Sequence, residues 1–317
     1  MTNEKMRILF MGTPEFSVPT LKMLIENYNV VGVVTQTDKP TGRGQNIKHT
    51  PVKEVAIENG IKVYQPEKLK GNEEFLKEMY SLNIDLIIVV AYGKILPKEI
   101  IDYPKYGCIN SHASLLPRHR GAAPINFAII SGDKKSGITT MYMDEGLDTG
   151  DIIKKYEVDI YEGMNAGELH DQLKILSADA VKDTIELLEK NSIVREKQDD
   201  SKSTYASMLK KEFGHIDFSK QCDVIVNLIN GLNPWPVAYC FYEEKKLKIY
   251  SAEIFKNQCE IDDNLEYGQI IDVDDRGILV KCGMGCILIT SIQFENKKVM
   301  SVKSFLNGNT IKKVKLS

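Results

Sequence analysis

The sequence predicts an α/β protein: a Rossmann-like, mostly parallel sheet with helices on both sides, followed by a small OB-like β-barrel. Three observations carry that prediction. Over the first half of the 317 residues, short apolar runs alternate with segments of helical spacing. One of these runs, Leu86-Ile-Ile-Val-Val90, is apolar on both faces, as a central parallel strand requires. From about Phe213 the pattern changes to strand-type runs separated by turn signals.

Taken in order, Ile8 to Met11 is a short strand ending at Gly12. Ser17-Val-Pro19 is a helix-start signal, with Ser as cap and Pro in the first turn. Leu21, Leu24, Ile25 and Tyr28 continue that helix, and Val30 to Thr35 is the next strand. Thr50-Pro51 starts a second helix, Ile61 to Tyr64 is a strand, and Asn72 to Ser81 a third helix. Cys108 to His112 and Gly137 to Met143 are strands, and Ile152 to Ile160 alternates with charge like an edge strand. Leu169, Leu173, Leu176, Ala180, Thr184 and Leu187 recur at three- and four-residue intervals, an amphipathic helix that closes a first domain over 1–190. Asn191 to Ser207 is polar and suits a linker, which leaves 208–317 as a second domain. There, one short helix, Asp223 to Asn230, precedes Asn233-Pro-Trp-Pro236. The strand-type runs Ala238–Tyr242, Leu247–Ile254, Gln269–Val273, Ile278–Cys282 and Cys286–Phe294 then follow.

Composition narrows the function classes. The hydrophobic fraction of 43% is that of a globular protein with a sizeable core, and no apolar run is long enough to span a bilayer. With no signal-peptide pattern after Met1, a cytoplasmic protein without a membrane partner is expected, acting as a monomer. A net charge of −3 does not announce a nucleic-acid binder, so any such binding must come from local patches. Cys282 and Cys286 flank a glycine turn, but no Cys or His follows to complete a zinc site, and no metal is expected. The turn Gly12-Thr-Pro-Glu-Phe16 holds one glycine where a dinucleotide-binding turn needs three, and nothing matches a P-loop.

The candidate site lies between Gly107 and Asp151. Asn110 and His112 are two residues apart, so on a strand they project to the same face, where each offers an N–H to one oxygen. Pro117 ends the strand in the run Ser114-Leu-Leu-Pro. A second strand leads to the loop of Asp144, Glu145 and Asp148. Two oxygen-directed donors and a carboxylate at strand ends fit acyl-type chemistry. A lone Asn or His at a strand end is usually structural; the combination with Asp148 and the Leu-Leu-Pro loop is what raises these two. Asp148-Thr-Gly also looks like an aspartic-protease motif, but that chemistry needs a pair of carboxylates.

Seven stretches resemble one family, the methionyl-tRNA formyltransferases. They are Phe10-Met-Gly-Thr-Pro-Glu-Phe16, Gln36-Thr-Asp-Lys-Pro-Thr-Gly-Arg-Gly44, Ala91-Tyr-Gly-Lys-Ile-Leu-Pro97, Asn110-Ser-His-Ala-Ser-Leu-Leu-Pro-Arg118, Arg120-Gly-Ala-Ala-Pro124, Gly146-Leu-Asp-Thr-Gly-Asp151 and Asn233-Pro-Trp-Pro236. The Asn-x-His-x-Ser-Leu-Leu-Pro run resembles all folate-dependent formyltransferases of this fold, and the Gly-Arg-Gly loop with Asn-Pro-Trp-Pro narrows the likeness to the tRNA enzyme. The resemblance implies formyl transfer from 10-formyltetrahydrofolate to the methionine amine of charged initiator tRNA. It implies that Asn110, His112 and Asp148 are catalytic, and that Ser114, Leu115, Leu116, Pro117, Lys94, Ile95 and Leu96 bind the folate. Three positions depart from the family pattern: Ser111, His119 and His215.

Glycines around Arg43 let the backbone approach a partner, so Lys39, Arg43 and Lys48, with His49 and Lys53, are read as a basic loop for tRNA. The six lysines from Lys297 onward are read as a second cationic surface. Arg118 and Arg120 are either solvated or ligand contacts, and Trp235 is read as a packing anchor. The competing functions are a sugar-nucleotide or purine-pathway formyltransferase and a non-catalytic RNA-binding protein. The intact trio of Asn110, His112 and Asp148 argues against the last.

Overall fold

The computed structural model describes residues 5–41, 46–256 and 264–317. Up to residue 206 the elements are β1 (Arg7–Gly12), α1 (Val18–Asn27), β2 (Asn29–Val34), β3 (Lys39–Thr41), β4 (Asn46–Lys48), α2 (Pro51–Glu58), β5 (Val63–Tyr64), α3 (Glu73–Ser81), β6 (Leu86–Val90), α4 (Lys98–Ile101), β7 (Cys108–His112), β8 (Arg120–Gly121), α5 (Pro124–Ile130), β9 (Lys135–Tyr142), β10 (Ile152–Asp159), α6 (Ala166–Glu189) and β11 (Tyr205–Ala206). Then come α7 (Cys222–Gly231), β12 (Ala238–Tyr242), β13 (Lys245–Ile254), β14 (Ile270–Asp274), β15 (Gly277–Lys281), β16 (Cys286–Phe294), β17 (Met300–Ser301) and α8 (Val302–Leu306). Two units emerge: Met1–Pro124 with Ser136–Val158 and His170–Ala206, and Ile125–Lys135 with Asp159–Leu169 and Ser207–Ser317.

The first unit carries a seven-stranded sheet in the order β10-β9-β7-β6-β1-β2-β5. From β5 to β7 every pair is parallel, and β7 meets β9 antiparallel. Each residue of β6 is buried, as its apolar run predicts for the middle of such a sheet. One face packs Leu9, Met11, Ile87 and Val89 against Phe75 and Met79 of α3 and Ile100 of α4. Burying side chains of this size stabilises the fold by about 1.5–3 kcal/mol each. On the other face Ile8, Phe10, Leu86 and Ile88 are equally inaccessible. β10 forms the edge, in line with its alternation of apolar and charged residues.

Local signals explain the helix starts. The Thr50 hydroxyl accepts from the Lys53 N–H at 3.2 Å, and Asn72 accepts from the Phe75 N–H at 3.1 Å. Ser17 departs from its expected capping role: it closes a 3-10 turn, and its hydroxyl donates to the Val90 carbonyl at 2.6 Å, tying the start of α1 to the end of β6. No helix among the described residues is long and apolar enough to cross a membrane.

In the second unit β12-β13-β16-β15-β14 form an antiparallel path. The last residues close it. The Ile270 N–H donates to the Val314 carbonyl at 3.1 Å, Leu316 to Gly268 at 2.8 Å, and Phe241 and Ser317 exchange two bonds at 2.6 and 3.1 Å. Both edge strands are thereby joined, which is how a small barrel removes its free edges. α7 packs on β13 with Ile225, Val226 and Ile229 inward.

Candidate active site

β7 ends at the carboxyl edge of the parallel sheet, where open α/β folds place their ligands. Asn110 pairs Val89 on one side and Met141 on the other, and His112 pairs Thr139. The intervening Ser111 points to the opposite face, where its hydroxyl lies 2.8 Å from that of Ser177, itself 3.2 Å from Thr20. A serine here thus satisfies a buried hydroxyl network and leaves the Asn110 and His112 face alone. Among the described residues the half-buried Asn110 amide makes no hydrogen bond.

The hydrogen bonds fix the state of His112. Its Nε2 lies 3.0 Å from the His119 carbonyl oxygen, which only accepts, so Nε2 carries a hydrogen. Its Nδ1 faces Asp148 Oδ1 at 3.7 Å, too long for a direct bond. The two side chains are 7% and 12% exposed, so this is a shielded charge pair whenever the ring is protonated. His112 therefore offers its second N–H, from Nδ1, only as imidazolium.

Asp148 sits in a left-handed conformation, φ +54. Its Oδ2 accepts from the Gly121 N–H at 2.8 Å. Gln198 Nε2 donates to the carbonyls of Asp148 and Gly150, both at 2.8 Å, while Gln198 Oε1 accepts from Arg120 Nε at 3.0 Å and Nη2 at 2.7 Å. Gly150 must be glycine, because a Cβ there would collide with the Tyr142 carbonyl oxygen. Arg120 corrects the expectation of a solvated or ligand-facing guanidinium. It is 11% exposed and bound to Gln198 and, at 2.7 Å, to Asp200. Arg118 is exposed.

The Ser114–Pro117 segment is held from β9. Thr139 Oγ1 donates to the Ser114 carbonyl at 2.6 Å and accepts from the Leu116 N–H at 3.1 Å, and Ser114 Oγ donates to the Arg118 carbonyl at 2.7 Å. Leu116 is buried with Met141 and Ile152, whereas Leu115 and Pro117 are half-buried. In the other expected folate segment, Lys94 Nζ donates to the carbonyls of Pro66 at 2.8 Å and Glu67 at 2.9 Å. Ile95 is 81% exposed and Leu96 belongs to the sheet core. A cleft of about 400 Å³ is lined by Lys98, Ile101, Asp102, Met143, Asp144, Glu145 and Gly146. It opens on the same loop that carries Asp148 but includes none of the three candidate catalytic residues.

Of the expected tRNA contacts, Arg43 and the side chain of Lys39 lie outside the described residues, and Lys48 is exposed. Lys53 and His49 do not belong to a free basic loop. Lys53 is in the first turn of α2, and its ammonium binds Asp38 at 2.5 Å and Gln65 at 2.7 Å, while His49 Nδ1 lies 2.9 Å from Asp38. Lys53, then Gln65 and His49, hold the Asp38 carboxyl well below the usual range against the cost of its burial. The tail lysines are also less cationic than expected: Lys303, Lys312, Lys313 and Lys315 pair with Asp275, Glu243, Asp272 and Glu266. Trp235 is 56% exposed, which corrects its reading as a packing anchor. His215 stacks on Tyr239 at 5.2 Å. Glu15, His170 and Asp171 cluster closely enough for a metal, but Lys174 Nζ already lies 2.7 Å from Glu15 and 2.8 Å from Asp171. Burial, with its cysteine neighbours, pushes the Cys282 thiol up to about 12, which disfavours a thiolate ligand there.

Sequence reasoning missed the His119 carbonyl, Thr204, whose hydroxyl accepts from the His119 N–H at 2.9 Å, and Gln198. The first two act at a backbone group, which no side-chain pattern marks.

Residues 6–185 match the formyl transferase family and residues 208–310 the formyl transferase C-terminal domain. A methionyl-tRNA formyltransferase of Clostridium novyi is 53% identical over 96% of this chain and 98% of its own length. That of Ruminiclostridium cellulolyticum is 50% identical over 96% and 97%. Among solved structures, a sugar 3N-formyl transferase in the presence of dTDP and 5-N-formyl-THF superposes with a TM-score of 0.68 at 21% identity, covering 93% of this chain and 99% of that one. At that identity the likeness speaks for the fold. With both of its halves matched and such relatives spanning nearly its whole length, the chain belongs to the formyl transferase family, among the methionyl-tRNA formyltransferases.

Proposed function

We propose that this enzyme moves the formyl group of 10-formyltetrahydrofolate onto the amino group of methionine on initiator methionyl-tRNA, using Asn110, His112 and Asp148. The carrying observation is the shared face of Asn110 and His112 at the sheet edge with the Asp148 carboxylate 3.7 Å from the imidazole. The methionine nitrogen attacks the formyl carbon, forming the new C–N bond while the carbonyl π pair moves to oxygen. The Asn110 amide donates to that oxyanion, an interaction typically worth ~3–4 kcal/mol. His112, already a donor through Nε2 to the His119 carbonyl, contributes through Nδ1–H once protonated, with Asp148 balancing its charge. The attacking nitrogen loses a proton, the C–N10 bond breaks, and N10 gains a proton. Asp148 and His112 form the relay for those transfers.

The folate is assigned to the Ser114–Pro117 and Lys94–Leu96 segments. Because the Leu116 and Leu96 side chains are buried, those two residues meet the pterin through main-chain groups. For the tRNA, Lys39, Arg43 and Lys48 remain the assigned contacts of the first unit. In the second, Lys246 and Lys248 have no carboxylate partner among the described residues, and Lys246 Nζ lies 3.4 Å over the Tyr239 ring. With four tail lysines paired, that face is the better-supported second cationic surface. The test is whether the purified protein consumes 10-formyltetrahydrofolate only when methionyl-tRNA is present. Equal consumption with a sugar-nucleotide amine, or none with methionyl-tRNA, would overturn the assignment.

A further inference from the structure

We propose that Gln198 is a positioning residue for the transfer: its carboxamide holds the 148–150 turn in the conformation that aims the Asp148 carboxylate at His112. The inference rests on the catalytic reading of Asp148 given above. Four bonds to oxygen and nitrogen partners use both ends of the Gln198 amide, and Met141 Sδ lies 3.9 Å from its nitrogen as a weaker further contact. Both hydrogens go to the carbonyls of Asp148 and Gly150, and the oxygen takes two from Arg120. The donors on one side and the carbonyls on the other fix which end of the amide is which.

What is held is a turn that needs holding. Asp148 is a non-glycine residue at φ +54, and such conformations persist where the surroundings over-determine them. Two adjacent residues of β8 supply the restraint. Arg120 anchors Gln198, and the Gly121 N–H binds the Asp148 carboxylate. β8 in turn pairs with β11, so the segment carrying Gln198 is tied back to the strand that anchors it. Asp200 balances the Arg120 charge from the exposed side, which lets residue 198 stay neutral and keep both N–H groups on the turn. A carboxylate at 198 would still satisfy Arg120 but would present lone pairs to two carbonyl oxygens.

The test compares Gln198→Glu, Gln198→Ala, Asp148→Asn and the double variant Gln198→Ala/Asp148→Asn in methionyl-tRNA formylation. The glutamate variant is the control for folding, since its Arg120 contacts survive. Both single changes at 198 are expected to lower kcat by about tenfold while moving KM for the formyl donor by less than about threefold. If Gln198 acts through Asp148, adding Gln198→Ala to Asp148→Asn lowers kcat by no more than about twofold further. Losses that multiply in the double variant, or unchanged kcat in both single variants, overturn this inference alone. Wild-type turnover in Asp148→Asn would overturn the catalytic reading and this inference with it.

Discussion

Replacing Asp148 by Asn removes one charge and almost nothing else. The asparagine oxygen still accepts from the Gly121 N–H, so the 2.8 Å bond that orients the side chain survives. What disappears is the carboxylate 3.7 Å from His112 Nδ1. Two unit charges ~4 Å apart attract by about 4 kcal/mol at an effective dielectric near 20, which sets an upper limit for the loss. The Gly121 N–H draws on the same carboxylate, so about 3 kcal/mol is a fair share for the imidazolium. At about 1.4 kcal/mol per tenfold in rate, turnover should fall by roughly a hundredfold. Single-turnover formylation of methionyl-tRNA measures the chemical step, and equilibrium binding of the folate shows whether the ground state is intact. A fall of less than about fivefold, or a parallel loss of folate affinity, would refute the electrostatic role.

Asn110→Ala should lower turnover by about a hundredfold with folding unchanged, because it deletes the proposed oxyanion donor; near-normal turnover would remove Asn110 from the chemistry. Tyr92 is 1% exposed and its hydroxyl has no hydrogen-bond partner among the described residues, so Tyr92→Phe should leave denaturant stability unchanged or raise it by up to ~1 kcal/mol. Asp38→Asn should cost about 1–3 kcal/mol at pH 7. Since the folded Asp38 carboxyl is held below its usual range, that stability exists above the ordinary carboxylate pKa and drains away as pH falls, so the penalty should shrink below roughly pH 4 in paired urea titrations. Arg43→Ala should impair tRNA formylation far more than folate binding; equal losses would place Arg43 elsewhere.

The β7 strand was fully legible: its bounds, the shared face of Asn110 and His112, and the opposite direction of Ser111 all follow from a period of two. β6 was equally plain from its apolar run. The parts that stayed hidden depend on neighbours distant in sequence. β8 and β11 are two residues each, too short for any periodicity, yet their pairing brings Gln198 and Arg120 to Asp148. The polar stretch after Asn191 gave no sign of that contact, because a glutamine that binds backbone carbonyls looks like any solvated glutamine. The tail lysines looked cationic because their carboxylate partners, Glu243, Asp272 and Glu266, lie about forty to seventy residues earlier in the chain.

The most direct test of the site is a structure of the enzyme with a non-transferring analogue of 10-formyltetrahydrofolate. The formyl oxygen is expected about 3 Å from the Asn110 amide nitrogen, on the His112 side of β7, with the pterin against the main chain of Ser114–Pro117. A formyl group seated away from β7, with Asn110 and His112 touching neither donor nor acceptor, would contradict that expectation.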